Sequence, residues 1–264
     1  MHPLNEKILV VGETCVDVFI YGTLPRLSPE APAPIFVQER VVTTAGMAAN
    51  VAANLRALGV ACDLVTHPEV FNQTRYVDAS RNHLLLCLDE AVKVTPFKRT
   101  QALCADDYAA VVVPDYNKGF LSEADIAWLA EQNPRTFVAT KRPLGPWLKD
   151  AAFIKINEQA WKATRESESA AVNSLVDKLM ITLGAKGCNY RGRRFLALQC
   201  EEVDSAGAGE TFLAALAARY VKNSGRKFHV PPDKHIEECI SFANQCAGRV
   251  VRKRGSRVVE GLKA

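Results

Sequence analysis

The sequence contains no long apolar run, no closely spaced cysteine pair and almost no surplus charge, and each shortage removes a class of protein. No stretch approaches the roughly 18 uninterrupted apolar residues of a membrane-spanning helix. The opening segment, Met1-His2-Pro3-Leu4-Asn5-Glu6-Lys7, leads into strand-like residues rather than a basic stretch and an apolar core, so a cytoplasmic setting and no membrane partner are expected. The eight cysteines (positions 15, 62, 87, 104, 188, 200, 239 and 246) include no C-x-x-C pair, and the five histidines form no H-E-x-x-H pattern, so no zinc site is expected. In a chain of 264 residues without an export signal they read as thiols packed like small hydrophobes, not as disulfides. The net charge of +4, from 33 basic and 29 acidic residues, is too small to argue for a nucleic-acid partner. With 48% hydrophobic and 23% charged residues, 15 Gly and 13 Pro, the composition excludes collagen, low complexity and disorder. No internal repeat or linker divides the chain, so residues 1–264 are expected to form one domain.

What is there is α/β alternation. Lys7-Ile8-Leu9-Val10-Val11-Gly12 is a short apolar run ending in glycine, the pattern of a strand buried on both faces of a sheet. Residues 19–43 change character: Pro25, Pro29, Pro32 and Pro34 interrupt β-favouring residues such as Ile35-Phe36-Val37, which predicts a small β excursion outside the main layer. From Gly46 onward, Val51, Leu55 and Leu58 make a helical stripe, Gly59 stops it, and residues 61–66 restart a strand. Residues 81–88 read as a further strand, expected to pair with the earlier excursion. Beyond them lie strands at 109–113, 136–139, 153–156 and 178–183 and a helix at 122–132, which together predict a mostly parallel sheet covered by helices on both faces.

Asp204-Ser205-Ala206-Gly207-Ala208-Gly209-Glu210 feeds an Ala/Leu-rich helix. Backbone N–H groups converge at such a helix start, the dipole adds positive charge, and small residues let an anion approach closely. The same turn also suits tight packing of helix on sheet, and the residues alone leave both readings open.

Three separated segments resemble the ribokinase-like (PfkB) carbohydrate kinases, and most nearly the heptose-phosphate kinase domain of bacterial ADP-heptose synthesis. They are Val16-Asp17 with Leu27-Ser28-Pro29-Glu30-Ala31-Pro32 and Ala45-Gly46-Met47-Ala48-Ala49-Asn50; Asp115-Tyr116-Asn117-Lys118-Gly119; and Asp204 to Phe212 followed by Phe242-Ala243-Asn244. The resemblance implies a three-layer α/β sandwich with a small β lid (segments about 19–43 and 74–90). A sugar or sugar phosphate would lie beneath the lid and Mg-ATP across the C-terminal half. It implies that Asp17, Gly46 and Asn50 bind the sugar, although Asp17 also fits a turn residue and Asn50 a helix cap. It further implies that Asn157, Thr182, Gly184, Gly187 and Asn244 contact nucleotide or organise magnesium. Ala206, Gly207, Ala208 and Gly209 would form an anion hole, and Glu210 would take the proton of the attacking hydroxyl.

The chain departs from that pattern at four places. Glu210 stands where the family has aspartate, and one extra methylene shifts the carboxylate by roughly 1–1.5 Å, a misplacement that can cost about a hundredfold in rate. Ala139, in Phe137-Val138-Ala139-Thr140-Lys141, replaces a carboxylate, and in Asn157-Glu158-Gln159-Ala160 the glutamate is out of register for magnesium. After Thr66 a βα unit is missing, because residues 66–74 are too short for a parallel crossover; the sheet edge so exposed is expected to attract a protein partner, and the lid a second copy of the chain. The basic cluster Arg249, Arg252, Lys253, Arg254 and Arg257 fits a solvated helix end, a contact with nucleotide phosphates or a contact with a polyanionic partner. The expected activity is phosphoryl transfer to a sugar or sugar-phosphate hydroxyl, at full or reduced rate, or, with catalysis lost, a binding, regulatory or assembly role.

Overall fold

The computed structural model describes residues 5–100, 103–166, 173–224 and 233–264. The main sheet is built on β1 (Asn5–Val11), flanked by β4 (Cys62–Val65) and β7 (Tyr108–Asp115), and continues through β8 (Thr136–Thr140), β9 (Phe153–Asn157) and β10 (Leu179–Thr182), all parallel. Two short antiparallel strands, β11 (Cys188–Tyr190) and β12 (Arg193–Phe195), close the far edge.

Successive residues of a strand face opposite sides, and the apolar runs of the parallel strands therefore feed two cores. Ile8, Val10, Ala110, Val112 and Phe137 pack beneath α1 (Ala48–Ala57), α4 (Ala208–Ser224) and α5 (Asp233–Val250). Leu9, Val11, Val111, Val113, Val138 and Ile154 face the opposite layer with α2 (Glu123–Gln132), whose Ile126 and Leu129 are wholly buried, and α3 (Glu158–Glu166). Ser122 starts α2 with a reciprocal capping box to Asp125. This is the three-layer sandwich expected.

The lid is a second sheet of four strands in the order β3-β2-β5-β6: β2 (Thr14–Leu27), β3 (Pro34–Met47), β5 (Asn72–Asp78) and β6 (His83–Asp89). One expectation needs correcting here. The strand at 81–88 does not pair with the 19–43 excursion; β6 pairs antiparallel with β5, and β5 lies parallel to β2. That intervening strand, Asn72-Gln73-Thr74-Arg75-Tyr76-Val77-Asp78, carries too few apolar residues to show an alternation.

After Val65 the chain leaves the main sheet directly for the lid, with no helix in residues 66–71, and β4 is the outermost strand. The edge is not the apolar strip expected. Cys62 is buried, Leu64 packs on the core, and Asp63 carries charge there, paired with Lys7 at 3.1 Å and accepting from the Tyr108 hydroxyl at 3.0 Å.

All eight cysteines are thiols. Burial pushes Cys15, Cys188, Cys239 and Cys246 up to about 12, whereas Cys87 and Cys104 are exposed. With a thiol reagent at pH 8, Cys87 and Cys104 should react within the first phase and those four only as the protein unfolds. Labelling followed by peptide mass mapping checks this, and uniform labelling of all eight in the native protein would contradict the packing.

Candidate functional site

The C-terminal ends of the parallel strands meet the N-terminus of α4, as open α/β sheets generally arrange their ligand crevice. Three loops are held there by one acid. Glu13, wholly buried between β1 and β2, accepts hydrogen bonds from Tyr116 N and Lys118 N, both at 3.0 Å, and its backbone carbonyl accepts from Ala48 N at 2.9 Å at the start of α1. Asp115, at the end of β7, accepts from the Thr140 hydroxyl at 2.6 Å and from Arg142 Nε at 2.9 Å. The turn that follows needs left-handed backbone at Asn117 (φ 57°) and Gly119 (φ 101°), which explains the glycine of that motif.

The loop so fixed presents Tyr116 to α4. The Tyr116 hydroxyl donates to Glu210 Oε1. Burial, reinforced by the Glu210 charge, holds this phenol well above its ordinary value, so it remains a donor. Lys155, from the middle of β9, approaches from the other side: a Cβ added at Gly209 would lie 2.8 Å from its Nζ. Burial and the neighbouring Lys141 lower the Lys155 pKa while Glu210 raises it, so the three charges share one small volume. Lys141 Nζ lies 5.8 Å from the centre of the Tyr116 ring.

Of the four anion-hole amides expected, two are already engaged. Ala206 N donates to Asp204 Oδ1 at 2.9 Å in a local turn, and Ala208 N to the Ser205 carbonyl at 3.2 Å. Ala206 packs under the lid against Phe19, Tyr21 and Val77. Gly207 (φ 81°) sits where a Cβ would come 2.9 Å from Asn50 Nδ2, and so also serves the packing reading. Gly209 and Glu210 remain on the wall of the crevice.

That crevice is a cavity of about 860 Å³. It brings together Asn157, Thr182, Gly184, Gly187 and Asn244 with Lys141, Lys155, Gly209 and Glu210. Several of these side chains also hold structure. Asn157 Oδ1 accepts from Ala160 N at 2.8 Å as the cap of α3; Thr182 Oγ1 donates to the Ile156 carbonyl at 3.2 Å; Asn244 Nδ2 donates to the Phe195 and Leu196 carbonyls at 3.1 and 3.2 Å. Gly187 is required by space, because a Cβ would come 2.0 Å from the Phe195 carbonyl.

Asp17, Gly46 and Asn50 cluster together but are not among the residues lining this cavity. Asp17 is buried and bonded at both oxygens: Arg75 Nη1 on β5 donates to Oδ1 at 2.8 Å and Ser256 Oγ to Oδ2 at 2.7 Å. A side chain at Gly46 would meet Cys15 Sγ at 2.5 Å and Asp17 Cγ at 3.0 Å. Asn50 lies within α1 rather than at its cap, and its Oδ1 accepts from Asn54 Nδ2 at 2.9 Å. Part of the basic cluster is held by the chain itself, with Lys253 paired to Glu260 at 2.7 Å and Arg257 Nε donating to the Arg254 carbonyl at 2.9 Å, while Arg252 is exposed.

The donor set does not fit a protein-held magnesium ion. Position 139 is alanine, the Asn157 oxygen caps α3, and Glu158 pairs with Lys162 at 3.3 Å. Among the described residues no three acids, histidines or cysteines converge as a ligand set.

Glu13, Arg75, Lys155 and Ser256 were missed in the sequence. Lys155 left a signal, a lysine interrupting the buried run Phe153-Ile154-Ile156, and Glu13 left a weaker one, an acid one residue beyond a buried strand. Arg75 and Ser256 left none, since they reach Asp17 from 58 and 239 residues away.

Residues 99–260 match the model of the pfkB family carbohydrate kinases. The chain is 27% identical over 98% of its length to the bifunctional protein HldE of Aliivibrio fischeri, and 28% identical over 97% to that of Salmonella arizonae; it spans 63% and 62% of those proteins. Among solved structures, the ribokinase of Arabidopsis thaliana complexed with ribose and ATP superposes with a TM-score of 0.68 at 16% identity, covering 95% of this chain and 94% of that one. The ribokinase of Cryptococcus neoformans in complex with ADP does so with a TM-score of 0.63 at 16% identity, covering 96% of each. The fold is therefore ribokinase-like.

Replacing Glu13 by Gln turns an acceptor into an N–H donor facing one of two buried amides. Urea unfolding of Glu13→Gln should show a loss of about 1–3 kcal/mol, against less than about 0.5 kcal/mol for the exposed control Glu131→Gln. Equal stability of the two variants would deny Glu13 its organising role.

Proposed function

Because the chain belongs to the pfkB family of carbohydrate kinases, we propose that it transfers the γ-phosphoryl group of ATP to a hydroxyl of a sugar or sugar phosphate, with Glu210 as general base. The observation that carries the reading is the position of Glu210 at the N-terminus of α4, on the wall of the cavity and steadied by Tyr116. The Tyr116 bond supplies what the longer side chain lacks. A glutamate has one more rotatable bond than an aspartate, and a fixed donor restricts it. In the reaction the attacking hydroxyl gives its proton to Glu210 as its oxygen bonds to phosphorus, the bond to the bridging oxygen breaks, and ADP leaves. Asn157, Thr182, Gly184, Gly187 and Asn244 would line the nucleotide, Gly207 and Gly209 would face its phosphates, and Asp17, Gly46 and Asn50 the sugar. Magnesium is assigned no ligand in this reading.

The pairing of Asp17 with Arg75 and Ser256 favours a second reading, a nucleotide-binding module that no longer phosphorylates a sugar, since a carboxylate already bonded at both oxygens has fewer lone pairs to offer a polyol. Thermal shift with ATP and a panel of sugars and sugar phosphates, followed by a coupled ADP assay, separates the two. The kinase reading expects turnover by the wild type and a fall of about 10²–10⁴-fold in Glu210→Ala. A nucleotide-dependent shift without turnover for any sugar tested hands the protein to the second reading.

The lid also supports self-association. β6 is an outer strand and every residue of it is exposed, including Leu84, Leu85, Leu86 and Leu88. We expect a dimer formed lid to lid in light scattering after gel filtration and a monomer for Leu86→Asp; a monomeric wild type at micromolar concentration contradicts this.

A further inference from the structure

We propose that Lys155, with Lys141 beside it, is the cation that receives the nucleotide's terminal phosphates, so that this protein binds ATP without needing a divalent metal. The inference rests on the proposed nucleotide site and concerns how that site neutralises charge.

Four observations converge on it. First, Lys155 lies in the middle of a parallel strand whose neighbours Ile154 and Ile156 are buried, a position that ordinarily takes an apolar residue. Its stem is packed, and its ammonium emerges into the cavity against Gly209, whose lack of a side chain is what leaves room for it. Secondly, Lys155 has a cationic neighbour. Lys141 lines the same cavity, and the mutual repulsion of two ammonium groups is relieved by a polyanion more fully than by the single carboxylate of Glu210. Thirdly, the start of α4 adds the partial positive charge of its dipole at the same place.

The fourth observation is what the site lacks in acids. Of the other carboxylates lining the cavity, Asp115 is paired with Arg142 at 2.9 Å and Glu158 with Lys162 at 3.3 Å, and Glu202 is an exposed acid. Where nucleotides are bound with magnesium, one or two carboxylates usually anchor the ion beside the phosphates. Here the one lining acid besides Glu210 that is not paired is the exposed Glu202, while Lys155 stands at the start of α4 with Lys141 in the same cavity. A triphosphate needs its charge balanced, and a lysine rigidly held by a sheet does this without a mobile ion.

The test measures ATP binding by the protein, by calorimetry and by thermal shift, once with excess magnesium and once in EDTA. We expect dissociation constants within about threefold of each other. Lys155→Met, which keeps the stem and removes the charge, should weaken binding in EDTA by about tenfold or more, and Lys155→Arg should restore much of it. The melting temperature without nucleotide reports whether Lys155→Met still folds; if it does not, the wild-type comparison decides alone. Binding that vanishes in EDTA overturns the inference and leaves the kinase reading standing. Undiminished binding by a folded Lys155→Met overturns the assignment of Lys155. No ATP binding under either condition overturns both this inference and the function proposed above.

Discussion

One buried carboxylate organises the working end of this protein. Glu13 lies at the point where the first strand of the main sheet passes into the lid, and its two oxygens and its backbone carbonyl hold the Tyr116 loop and the start of α1 together. A buried charge survives only when its oxygens are met by donors, so the three segments must arrive in one arrangement or leave that charge uncompensated. The neighbouring contacts are consistent with this: Tyr116 is presented to Glu210, α1 places Asn50 against Gly207, and Phe19 and Tyr21 of β2 pack on Ala206.

Glutamate at position 210, where the resemblance implies aspartate, looks damaging in isolation and less so in context. The tyrosine partner and the adjacent Lys155 give the longer acid a defined place. Catalysis by phosphoryl transfer depends mainly on position and charge, and in the proposed reaction both would come from Tyr116, in the loop after β7, and Lys155 of β9 as well as from the α4 turn. Ala139 offers no carboxylate to a metal and Lys155 places a fixed cation on the same cavity wall, so both act on the charge that a bound anion would bring.

The lid packs on the body with one side and leaves another in solvent. Its inner side, with Phe19, Tyr21 and Val77, packs on Ala206, and Asn82 near its tip donates to the Val203 carbonyl. The Arg75–Asp17–Ser256 chain ties lid and body through a group that the family pattern assigns to the sugar. Its outer leucines stay in solvent, an apolar area that a lone soluble sheet rarely leaves bare.

Periodicity alone was enough for the parallel strands, the helices at 122–132 and after 208, and the proline-broken excursion that became the lid, because those signals are local and repeat along the chain. The motifs around Asp115 and Gly207 were legible for the same reason. Strand β5 was not, since a polar strand in a two-sided sheet carries no alternation, and its place between β2 and β6 is fixed only by pairing partners far apart in sequence. Nor could the sequence tell that Asp17 is shared by Arg75 and Ser256, that Asn157 is spent on a helix cap, or that Lys155 meets Gly209. Those facts depend on which groups are close in space, and closeness between residues tens or hundreds of positions apart is decided by the packing of the two cores, which no local pattern encodes.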